Sequence, residues 1–402
     1  MARECVDRNM TKAKRKLADT AKHLYYFGVV ANAYRLRALA PTKKKTALFV
    51  EVTRQAPSDS FLTMIEELER RGYRCKVYSW GKHRVSGLKL AARSVVLAWK
   101  AASVPAVFVC EACMAVGCLP IRRDSKVIQL WHGCGAFKKF GMSTAEKIFG
   151  ASREVKKYFP EHLSTSLVTV SSPEVRWAYI EALDMGDRPE CVQALGVSRT
   201  DVYFRDDYLK RARDEAIRAV PAIADKNVLL YAPTFRGHVK KATAPEFLNI
   251  DELHEALGNE WILLVKQHPH VKNRPPIPTS CAGFAYDVSD TLSIESAMIA
   301  ADVCVTDYSS LVYEWSLLKR PVAFLAPDRN EYDDWRGFYY DYDDMTPGPV
   351  FDTTAEVATW VSTARENYDY QELEDFRNKF MSSCDGHATE RIIEATLGEG
   401  QR

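Results

Sequence analysis

Residues 127–141 read VIQLWHGCGAFKKFG and join an apolar run to a group of polar and basic residues. Its first four residues have the composition of a buried strand, and a Trp-His-Gly sequence centred on His132 follows directly. Two adjacent cations, Lys138 and Lys139, come shortly afterwards. Parallel α/β sheets bind ligands beyond the carboxyl ends of their strands, so an imidazole and a glycine at this point predict a functional rim.

Short strands alternate with helices on both sides of this stretch. Apolar β-rich runs occupy 47–52, 75–80, 106–110, 127–130 and 167–172, and a second series occupies 228–233, 261–269, 303–307 and 321–327. This alternation predicts parallel sheets covered by helices on both faces. A chain of 402 residues is also long for one core. We therefore predict an α/β fold with two Rossmann-like lobes, joined near 205–225 and facing each other across a cleft.

The formal charge of +2 conceals a strongly basic amino-terminal segment. Residues 1–45 hold twelve Lys or Arg against three acidic residues, a net charge of +9, which leaves −7 for the other residues. The pattern of residues 10–39 predicts an amphipathic helix whose apolar stripe is edged by cations. The stripe consists of Leu17, Leu24, Tyr25, Phe27, Val30, Tyr34 and Leu39. Such a helix can lie on an anionic membrane surface. Two alternatives stay open: a helix packed on the domain behind it, and nucleic-acid binding, for which no recognised reading motif accompanies the charge.

The ten cysteines and the longest apolar run have ordinary interpretations. Ten cysteines without a signal peptide favour a reducing compartment. Cys110, Cys113 and Cys118 cluster, but no fourth ligand follows at zinc-finger spacing, so buried thiols are expected. The same cysteines lie in the apolar run 103–121, which a proline and a glycine interrupt. We expect a strand and a short helix there and no membrane span.

Polar side chains follow the predicted strands on both lobes. His132 follows a strand of the first series, and three strand ends of the second series carry Pro233, Thr234 and Arg236, then Lys266, His268 and His270, then Asp307, Ser309 and Ser310. A serine pair before a helix offers hydroxyls and backbone N–H groups to an anion. Taken singly, each residue has a structural alternative, since serine is a common N-cap and aspartate is common in turns. Their shared position predicts a phosphate-binding cleft.

Six stretches resemble a known family in order and spacing from about residue 45 to 397. They are WHGCGAFKKFG, GVSRTD, YAPTFR, KQHPH, TDYSSLVYEWSLLKRPVAFLAPDRNEYDDWRGFYYDYDD and DGHATERI. Together they resemble the CDP-glycerol glycerophosphotransferase family of teichoic acid synthesis. The resemblance implies a GT-B-like fold with the last helix crossing back to the first lobe. The expected domains are a basic membrane-surface helix (1–45), an acceptor-side lobe with the catalytic histidine (46–210), a CDP-polyol donor lobe (211–375) and the returning carboxyl-terminal helices (376–402).

The resemblance also implies roles for individual residues. His132 is implied as the catalytic base and His268 as the second catalytic histidine. The substrate-binding residues that follow from the resemblance or from the strand ends are Gly133, Cys134, Gly135, Ala136, Arg199, Pro233, Thr234, Arg236, Lys266, Gln267, Asp307, Ser309, Ser310 and Glu314. Among them, Arg199 is implied as a donor contact and Glu314 as a partner of the ribose hydroxyls. The stretch HGCG departs from the family's more usual HGTP, which leaves the polyol of the donor open.

The implied reaction is attack by an acceptor hydroxyl on the β-phosphorus of CDP-glycerol, which forms a phosphodiester and releases CMP. The implied acceptor is an undecaprenyl-diphosphate-linked saccharide, met by a peripheral protein at the cytoplasmic face of the cell membrane. We predict no cofactor, no protein-held metal and no nucleic-acid partner, and leave a divalent cation requirement open. The shortness of the chain leans towards a primase. Alternatives are a CDP-ribitol or capsule polyol-phosphate transferase, a GT-B glycosyltransferase releasing a nucleoside diphosphate, and a non-enzymatic lipid-surface binding protein.

Overall fold

The structure, a computed structural model, describes residues 14–82, 84–85, 87–147, 151–237, 241–258 and 260–398. Two six-stranded sheets organise this part of the chain, and every strand pairing within them is parallel. The two predicted series of strands correspond to these two sheets. The prediction of an α/β fold with two parallel-sheet lobes is therefore confirmed.

The amino-terminal segment is helical from residue 14 to Ala38. It consists of α1 (residues 14–24), a π-helical turn (Tyr25–Val30) and α2 (Ala31–Ala38). Residues 10–13 of the predicted helix lie outside the described residues.

This helical segment has a buried side and an exposed side. Tyr26, Val30 and Tyr34 are buried in a hydrophobic cluster of the first lobe. The exposed side carries Leu17, Leu24, Val29, Leu36 and Leu39. The predicted apolar stripe is thus divided: part of it packs on the lobe, as the alternative interpretation proposed. Membrane contact stays a prediction for the outer side.

The first sheet has the order β2-β1-β3-β4-β5-β6. Its strands are β1 (Thr46–Glu51), β2 (Arg74–Ser79), β3 (Ala106–Val109), β4 (Lys126–Gln129), β5 (Leu167–Thr169) and β6 (Val192–Gln193). The helices around it are α3 (Asp59–Arg70), α4 (Gly87–Ala101), α5 (Met114–Gly117), α6 (Arg153–Tyr158) and α7 (Arg176–Ala182), with 3₁₀ turns at Gly141–Thr144, Pro189–Cys191 and Ser198–Phe204. The order reverses between β1 and β3, so β1 and β3 flank the topological switch point and β4 is the next strand after β3.

The second sheet has the order β12-β11-β10-β7-β8-β9. Its strands are β7 (Asn227–Tyr231), β8 (Trp261–Val265), β9 (Ala285–Asp287), β10 (Val303–Thr306), β11 (Val322–Leu325) and β12 (Val350–Phe351). The helices that precede, cover or follow it are α8 (Asp206–Ala219), α9 (Ile250–Leu257), α10 (Ile294–Ala300), α11 (Leu311–Leu318), α12 (Arg329–Arg336), α13 (Thr354–Asn367), α14 (Tyr370–Phe380) and α15 (Ala388–Leu397). Short 3₁₀ turns occur at Pro221–Ala224, Thr279–Cys281 and Asp343–Met345. The order reverses between β7 and β10, where a doubly wound lobe binds its ligand.

The last helix returns to the first lobe. Ile392 and Ile393 of α15 are buried with side chains of the first sheet. The ammonium of Lys126, at the start of β4, donates a hydrogen bond to the carbonyl of Ala395 at 2.9 Å. These contacts bring the end of the chain back to the first lobe.

The apolar run 103–121 lies in the core of the first lobe as β3 and α5. Cys110, Cys113 and Cys118 are buried there. Burial raises the pKa of each of these thiols to about 12, so they stay protonated at neutral pH. In the part of the chain that the structure describes, no helix combines the length and the apolar character that crossing a membrane requires.

Candidate active site between the lobes

A cavity of about 370 Å³ lies where the two lobes meet. The loop after β4, residues 131–140, forms its first-lobe wall. Thr234, His268, Ser309 and Ser310 stand on the second-lobe wall. Predicted residues from four strand ends therefore surround one space.

The ring of His132 is held in a defined tautomer. Its Nδ1 lies 3.1 Å from the backbone carbonyl oxygen of Cys110. A carbonyl only accepts, so Nδ1 carries the hydrogen and the neutral ring has its lone pair on Nε2. Desolvation by the surrounding protein lowers the pKa of His132. The hydrogen bond to the Cys110 carbonyl and the charge of the Glu111 carboxylate act in the opposite direction and raise it. The residue is nevertheless exposed to solvent. A neutral imidazole with a free lone pair can act as a base at neutral pH.

The turn that presents His132 is strained and braced. Trp131 has φ of +58°, a left-handed conformation that costs a non-glycine residue roughly 1–2 kcal/mol. Its N–H donates to Oε1 of Gln129 at 3.1 Å, and Nε2 of Gln129 donates to the carbonyl of Glu111 at 3.3 Å. The Trp131 ring stacks on the imidazole, with ring centroids 4.6 Å apart. Gln129 thus ties the turn to the neighbouring strand end.

Gly135 allows the loop to approach the second lobe closely. Its φ is +61°, and a Cβ at this position would lie 2.2 Å from the ring of Tyr313 in α11. Its N–H donates to Oγ of Ser171 at 3.1 Å. The adjacent Cys134 and Ala136 are buried, and burial raises the pKa of the Cys134 thiol well above its usual value. This loop therefore lines the cavity without supplying a reactive thiol.

Asp307 joins the two strands at the switch point of the second sheet. One carboxylate oxygen accepts from the N–H of Thr234 at 2.8 Å and from the N–H of Tyr308 at 2.6 Å. The other accepts from Nη1 of Arg236 at 2.9 Å. Asp307 is 1% exposed. Its position supports the loop carrying Thr234 rather than a direct contact with a ligand in the cavity.

The guanidinium of Arg236 forms hydrogen bonds with other residues of the protein. Its guanidinium donates to both carboxylate oxygens of Asp328, at 2.6 and 3.1 Å, and to the carbonyl of Thr234 at 2.6 Å. It also packs over the rings of Tyr308 and Tyr332, each 5.1 Å from the guanidinium carbon. Arg236 is not on the cavity wall. Arg236 thus lies behind the loop that follows β7 and supports it, and Pro233 of that loop is buried.

The serine pair opens α11 at the cavity. Oγ of Ser309 accepts from the N–H of Leu311 at 3.3 Å, whereas Ser310, at the N-cap, makes no side-chain cap hydrogen bond. The Ser310 hydroxyl therefore remains available to a ligand. The positive end of the helix dipole favours an anion at this position.

His268 presents the opposite tautomer to His132. Its Nδ1 accepts from the N–H of His270 at 3.1 Å. The neutral ring must then carry its hydrogen on Nε2, which makes this histidine a donor. An acceptor histidine on one lobe and a donor histidine on the other suit a reaction in which a proton is removed while negative charge is held.

The two residues before His268 support the strand end from behind. The ammonium of Lys266 donates to the carbonyls of Ser289, at 2.9 Å, and Leu292. Burial lowers the pKa of Lys266. Gln267 is buried, and its N–H donates to Oγ of Ser289 at 2.8 Å. Neither residue lines the cavity.

Arg199 and Glu314 form an ion pair with each other. Nε of Arg199 lies 3.0 Å from a carboxylate oxygen of Glu314, and the guanidinium also pairs with Glu295. Both predicted residues lie at the junction of the lobes and outside the cavity lining. Their predicted contacts with the donor remain predictions.

Several cavity residues were missed as site residues from the sequence. They are Trp131, Phe137, Lys138, Lys139, Phe140, Tyr179 and Phe235. The signal for Lys138 was its place in the opening stretch, and its ammonium lies 3.4 Å from Oγ1 of Thr234 across the junction. The sequence contains no local pattern that marks Tyr179 as a cavity residue, because only the tertiary structure brings α7 to the cavity. Within the described ranges, no group of three or more His, Cys, Asp or Glu side chains is arranged to hold a metal ion.

Several proteins of known function that are similar to this chain in sequence belong to teichoic acid synthesis. Teichoic acid poly(ribitol-phosphate) polymerase of Bacillus spizizenii is 31% identical over 385 residues, which are 95% of this chain and 60% of that protein. Teichoic acid ribitol-phosphate primase of the same organism is 34% identical over 69% of this chain and 70% of its own length. Teichoic acid glycerol-phosphate primase of Bacillus subtilis is 28% identical over 68% of each chain. The chain thus spans about 60% of the length of the polymerase.

Solved structures agree with this picture at the level of fold. Wall teichoic acid polymerase TagF superposes with a TM-score of 0.73 at 21% identity, covering 95% of this chain and 97% of that one. A TagF variant crystal soaked with CDPG also gives a TM-score of 0.73. The two-lobed, GT-B-like architecture is therefore shared with a teichoic acid polymerase.

The family model for CDP-glycerol:poly(glycerophosphate) glycerophosphotransferase matches residues 32–398, which include both sheets and the whole cavity. The match runs over the stretches that surround His132, His268 and the serine pair. The chain therefore belongs to the CDP-glycerol:poly(glycerophosphate) glycerophosphotransferase family.

Proposed function

We propose that this protein transfers a polyol phosphate from a CDP-polyol to a hydroxyl of a lipid-linked acceptor in teichoic acid synthesis and releases CMP. The observation that carries the proposal is the cavity itself. It combines a histidine base on one lobe with Ser309, Ser310 and His268 at a helix N-terminus and strand end on the other. Family membership supports the same reaction class.

In the proposed reaction, the acceptor hydroxyl gives its proton to Nε2 of His132 as its oxygen attacks the β-phosphorus of the donor. The bond between this phosphorus and the oxygen bridging to the α-phosphorus breaks, and CMP leaves with the electron pair. A positioned base accelerates such a step by roughly 10²–10⁴-fold. The donor groups of Ser310 and His268, with the cation of Lys138, would hold the phosphoryl charge.

The first candidate for the donor is CDP-glycerol. The family description and the TagF crystal soaked with CDPG support it. A second candidate, CDP-ribitol, is favoured by relatives named for ribitol phosphate, including the polymerase and the primase of Bacillus spizizenii. The loop 133–136 contacts the cavity and differs from the family's usual HGTP sequence, so we propose it as the part that selects the polyol.

We further propose that the acceptor is an undecaprenyl-diphosphate-linked saccharide and that the protein reaches it at the cytoplasmic face of the membrane. Exposed Leu17, Leu24, Val29 and Leu36 support this, because they form an apolar outer side on a helical segment rich in cations. Each cation close to anionic lipid contributes ~1 kcal/mol to attachment.

The test is a paired assay with CDP-glycerol and CDP-ribitol, a lipid-linked disaccharide acceptor, and readouts of nucleotide product and product length. Release of CMP with one donor, dependent on the acceptor, is expected. Release of a nucleoside diphosphate from a nucleotide sugar would instead identify a glycosyltransferase. A product carrying one unit indicates a primase, and a ladder of products indicates a polymerase.

A further inference from the structure

A second cavity lies at the junction of the lobes, next to the candidate active site. Its volume is about 1010 Å³. Lys139 and Lys147 line it from the first lobe, and residues 329–330 and 337–344 line it from the second. Lys139 also lines the cavity that contains His132. The two cavities therefore meet at one lysine, and a long ligand can extend from one into the other past this side chain.

The part of the second cavity nearest the active site is cationic. The N–H of Lys139 donates to the carbonyl of Gly337 at 3.0 Å, which holds the lysine against the opposite lobe. Gly337 has φ of +72°, and a Cβ there would lie 2.5 Å from Nζ of Lys147 and 3.5 Å from Cδ of Lys139. Both lysine side chains thus pass over the same glycine, and both residues are half-buried. Like charges held side by side repel each other, and an anion bound near both lowers that energy.

The same cavity also carries carboxylates. Asp341, Asp343 and Asp344 line it, and all three are exposed. Charges exposed to water are screened more strongly than half-buried ones, so these aspartates do not cancel the field of the two lysines. Carboxylate oxygens accept hydrogen bonds from hydroxyl groups. The lining therefore matches a ligand that contains both phosphate and hydroxyl groups.

The volume of the active-site cavity indicates which substrate extends into this space. Ligand cavities commonly measure roughly 300–1,000 Å³, so the active-site cavity of about 370 Å³ has room for one substrate. In the proposed reaction Ser309, Ser310 and His268 assign that room to the CDP-polyol. The acceptor must then bring its reacting hydroxyl to His132 and place the adjoining part of its chain elsewhere. The cavity beyond Lys139 is the adjoining space.

We propose that the second cavity binds a polyol-phosphate segment of the acceptor, with Lys139 and Lys147 at a phosphate and the aspartates at the polyol hydroxyls. The identity of the acceptor in this inference rests on the proposed function. A lipid diphosphate supplies an anion but no hydroxyl groups, and it lies at the opposite end of such an acceptor from the reacting hydroxyl. The protein therefore favours acceptors that already carry polyol phosphate, which is the property of an enzyme that extends a chain.

Calorimetry without any donor tests the cavity directly, with tri(glycerol phosphate), tri(ribitol phosphate) and farnesyl diphosphate as probes. Wild type should bind at least one of the two polyol phosphates, and should bind it more weakly as salt rises. Lys147→Gln should bind it roughly tenfold more weakly, the lower end of the effect of one charge-assisted hydrogen bond, because the lysine is only half-buried. Arg329→Gln removes a cation from the second-lobe side and should weaken binding in the same direction. Lys210→Gln is the matched control and should bind as wild type does, because Lys210 is exposed on α8 and lines neither cavity.

Kinetics with two acceptors provide a second readout. The acceptors are a lipid-linked disaccharide without polyol phosphate and the same molecule carrying three units. In Lys147→Gln the KM for the three-unit acceptor should rise roughly tenfold and by more than the KM for the other acceptor. Affinity for CDP-glycerol and CDP-ribitol should change by less than about threefold, a smaller factor than the loss of one charge-assisted hydrogen bond produces, since Lys147 does not line the active-site cavity.

Equal binding of the polyol phosphates by wild type, Lys147→Gln and Arg329→Gln would overturn the inference, and so would no binding by wild type. A loss of affinity confined to farnesyl diphosphate would also overturn it, because the bound anion would then be a lipid diphosphate. Wild type that binds the polyol phosphates but releases no CMP from either donor would instead contradict the proposed function. The two failures are therefore distinguishable.

Discussion

At the scale of single residues, backbone hydrogen bonds assign opposite duties to the two cavity histidines. His132 donates through Nδ1 to a carbonyl, and His268 accepts through Nδ1 from an N–H. The remaining nitrogens are therefore an acceptor and a donor, respectively. The proposed base and the proposed phosphoryl-binding group are thus distinguished by their neighbours, although both residues are histidines that follow strands.

The first prediction concerns the base. His132→Ala should lower kcat by roughly 10²–10⁴-fold, because it removes the proposed acceptor of the proton from the acceptor hydroxyl. Donor affinity and the circular dichroism spectrum should match wild type, since the residue is exposed and the hydrogen bond of its backbone carbonyl persists. CMP release is the measurement. A variant that keeps more than about a tenth of the wild-type rate would show that the base lies elsewhere.

The second prediction concerns pH. In the proposed reaction the neutral form of His132 is the active one, and desolvation lowers the pKa of this histidine. The acid limb of kcat/KM should therefore have its midpoint below about 6.5, the unperturbed pKa of histidine, and the rate should be lost as pH falls through that midpoint. A pH series of initial rates tests this. A midpoint clearly above 6.5 would assign the limb to another group.

At the scale of elements, the loop after β4 depends on one glycine for its approach to α11. Gly135 and Gly133 both lie in this loop, but they differ in surroundings. A Cβ at Gly135 would enter the Tyr313 ring, whereas one at Gly133 would meet no atom within 4 Å. The pair therefore offers a matched comparison within three residues of chain.

The third prediction uses this comparison. Gly135→Ala should lower stability by about 2–5 kcal/mol, because a left-handed backbone and overpacking each add a cost. Activity should fall with it, as the loop carrying His132 shifts. Gly133→Ala should change stability by less than about 1 kcal/mol. Urea unfolding measures both. Equal stability of the two variants would contradict the packing of this loop on Tyr313.

The membrane contact of the amino-terminal helical segment is best tested by point substitutions of its exposed residues. Tyr26, Val30 and Tyr34 are buried, so deleting the whole segment would uncover the core of the first lobe. Substitutions on the outer side avoid this problem. Leu17 and Leu24 are 72% and 64% exposed, and Leu62 on α3 is 51% exposed in a different part of the lobe.

The fourth prediction follows from these exposures. Leu17→Glu/Leu24→Glu should weaken binding to phosphatidylglycerol vesicles at low salt, because it removes apolar anchors and adds negative charge. Binding of the wild type should also weaken as salt rises, since the Debye length falls from ~10 Å at 0.1 M to ~3 Å at 1 M. Leu62→Glu is the control and should bind as wild type does. Co-sedimentation in which all three proteins bind equally would place the membrane contact elsewhere.

At the scale of the whole molecule, the lobes share a hydrophobic cluster and a backbone bridge. Phe137 of the first lobe contacts the rings of Tyr313 and Phe338, with centroids 6.3 and 5.6 Å apart. The N–H of Lys139 donates to the carbonyl of Gly337 at 3.0 Å, and the N–H of Tyr339 donates to the carbonyl of Phe137 at 3.1 Å. The junction is therefore packed like a domain interior rather than joined by a linker alone.

The fifth prediction is that the two lobes unfold together. Calorimetry and circular dichroism should show one coincident thermal transition, because opening either lobe exposes the shared cluster. Phe137→Ala should lower stability by about 3–5 kcal/mol, the usual cost of removing a buried phenylalanine. Two resolved transitions in the wild type would show that the lobes are energetically independent.

The sequence by itself determined the fold class, the family and part of the wall of the cavity. The strands β1 to β5, β7, β8, β10 and β11 were predictable because an apolar run followed by polar residues is a local pattern. His132, His268 and the serine pair were found for the same reason, since each directly follows a strand. The strands β6, β9 and β12 were missed, because each is only two or three residues long and carries little periodic signal. The equally short β5 was found because it begins the longer run 167–172.

Only the tertiary structure decided what the cations at the site contact. Arg199, Arg236 and Lys266 stand at positions suited to a phosphate, yet their partners are carboxylates and carbonyls of the protein. The helix at residues 14–38 likewise showed its buried side only after folding. The physical reason is the same in each case. A charged or apolar side chain requires a partner, but the sequence does not state whether that partner is a ligand, a lipid or a residue a hundred positions away.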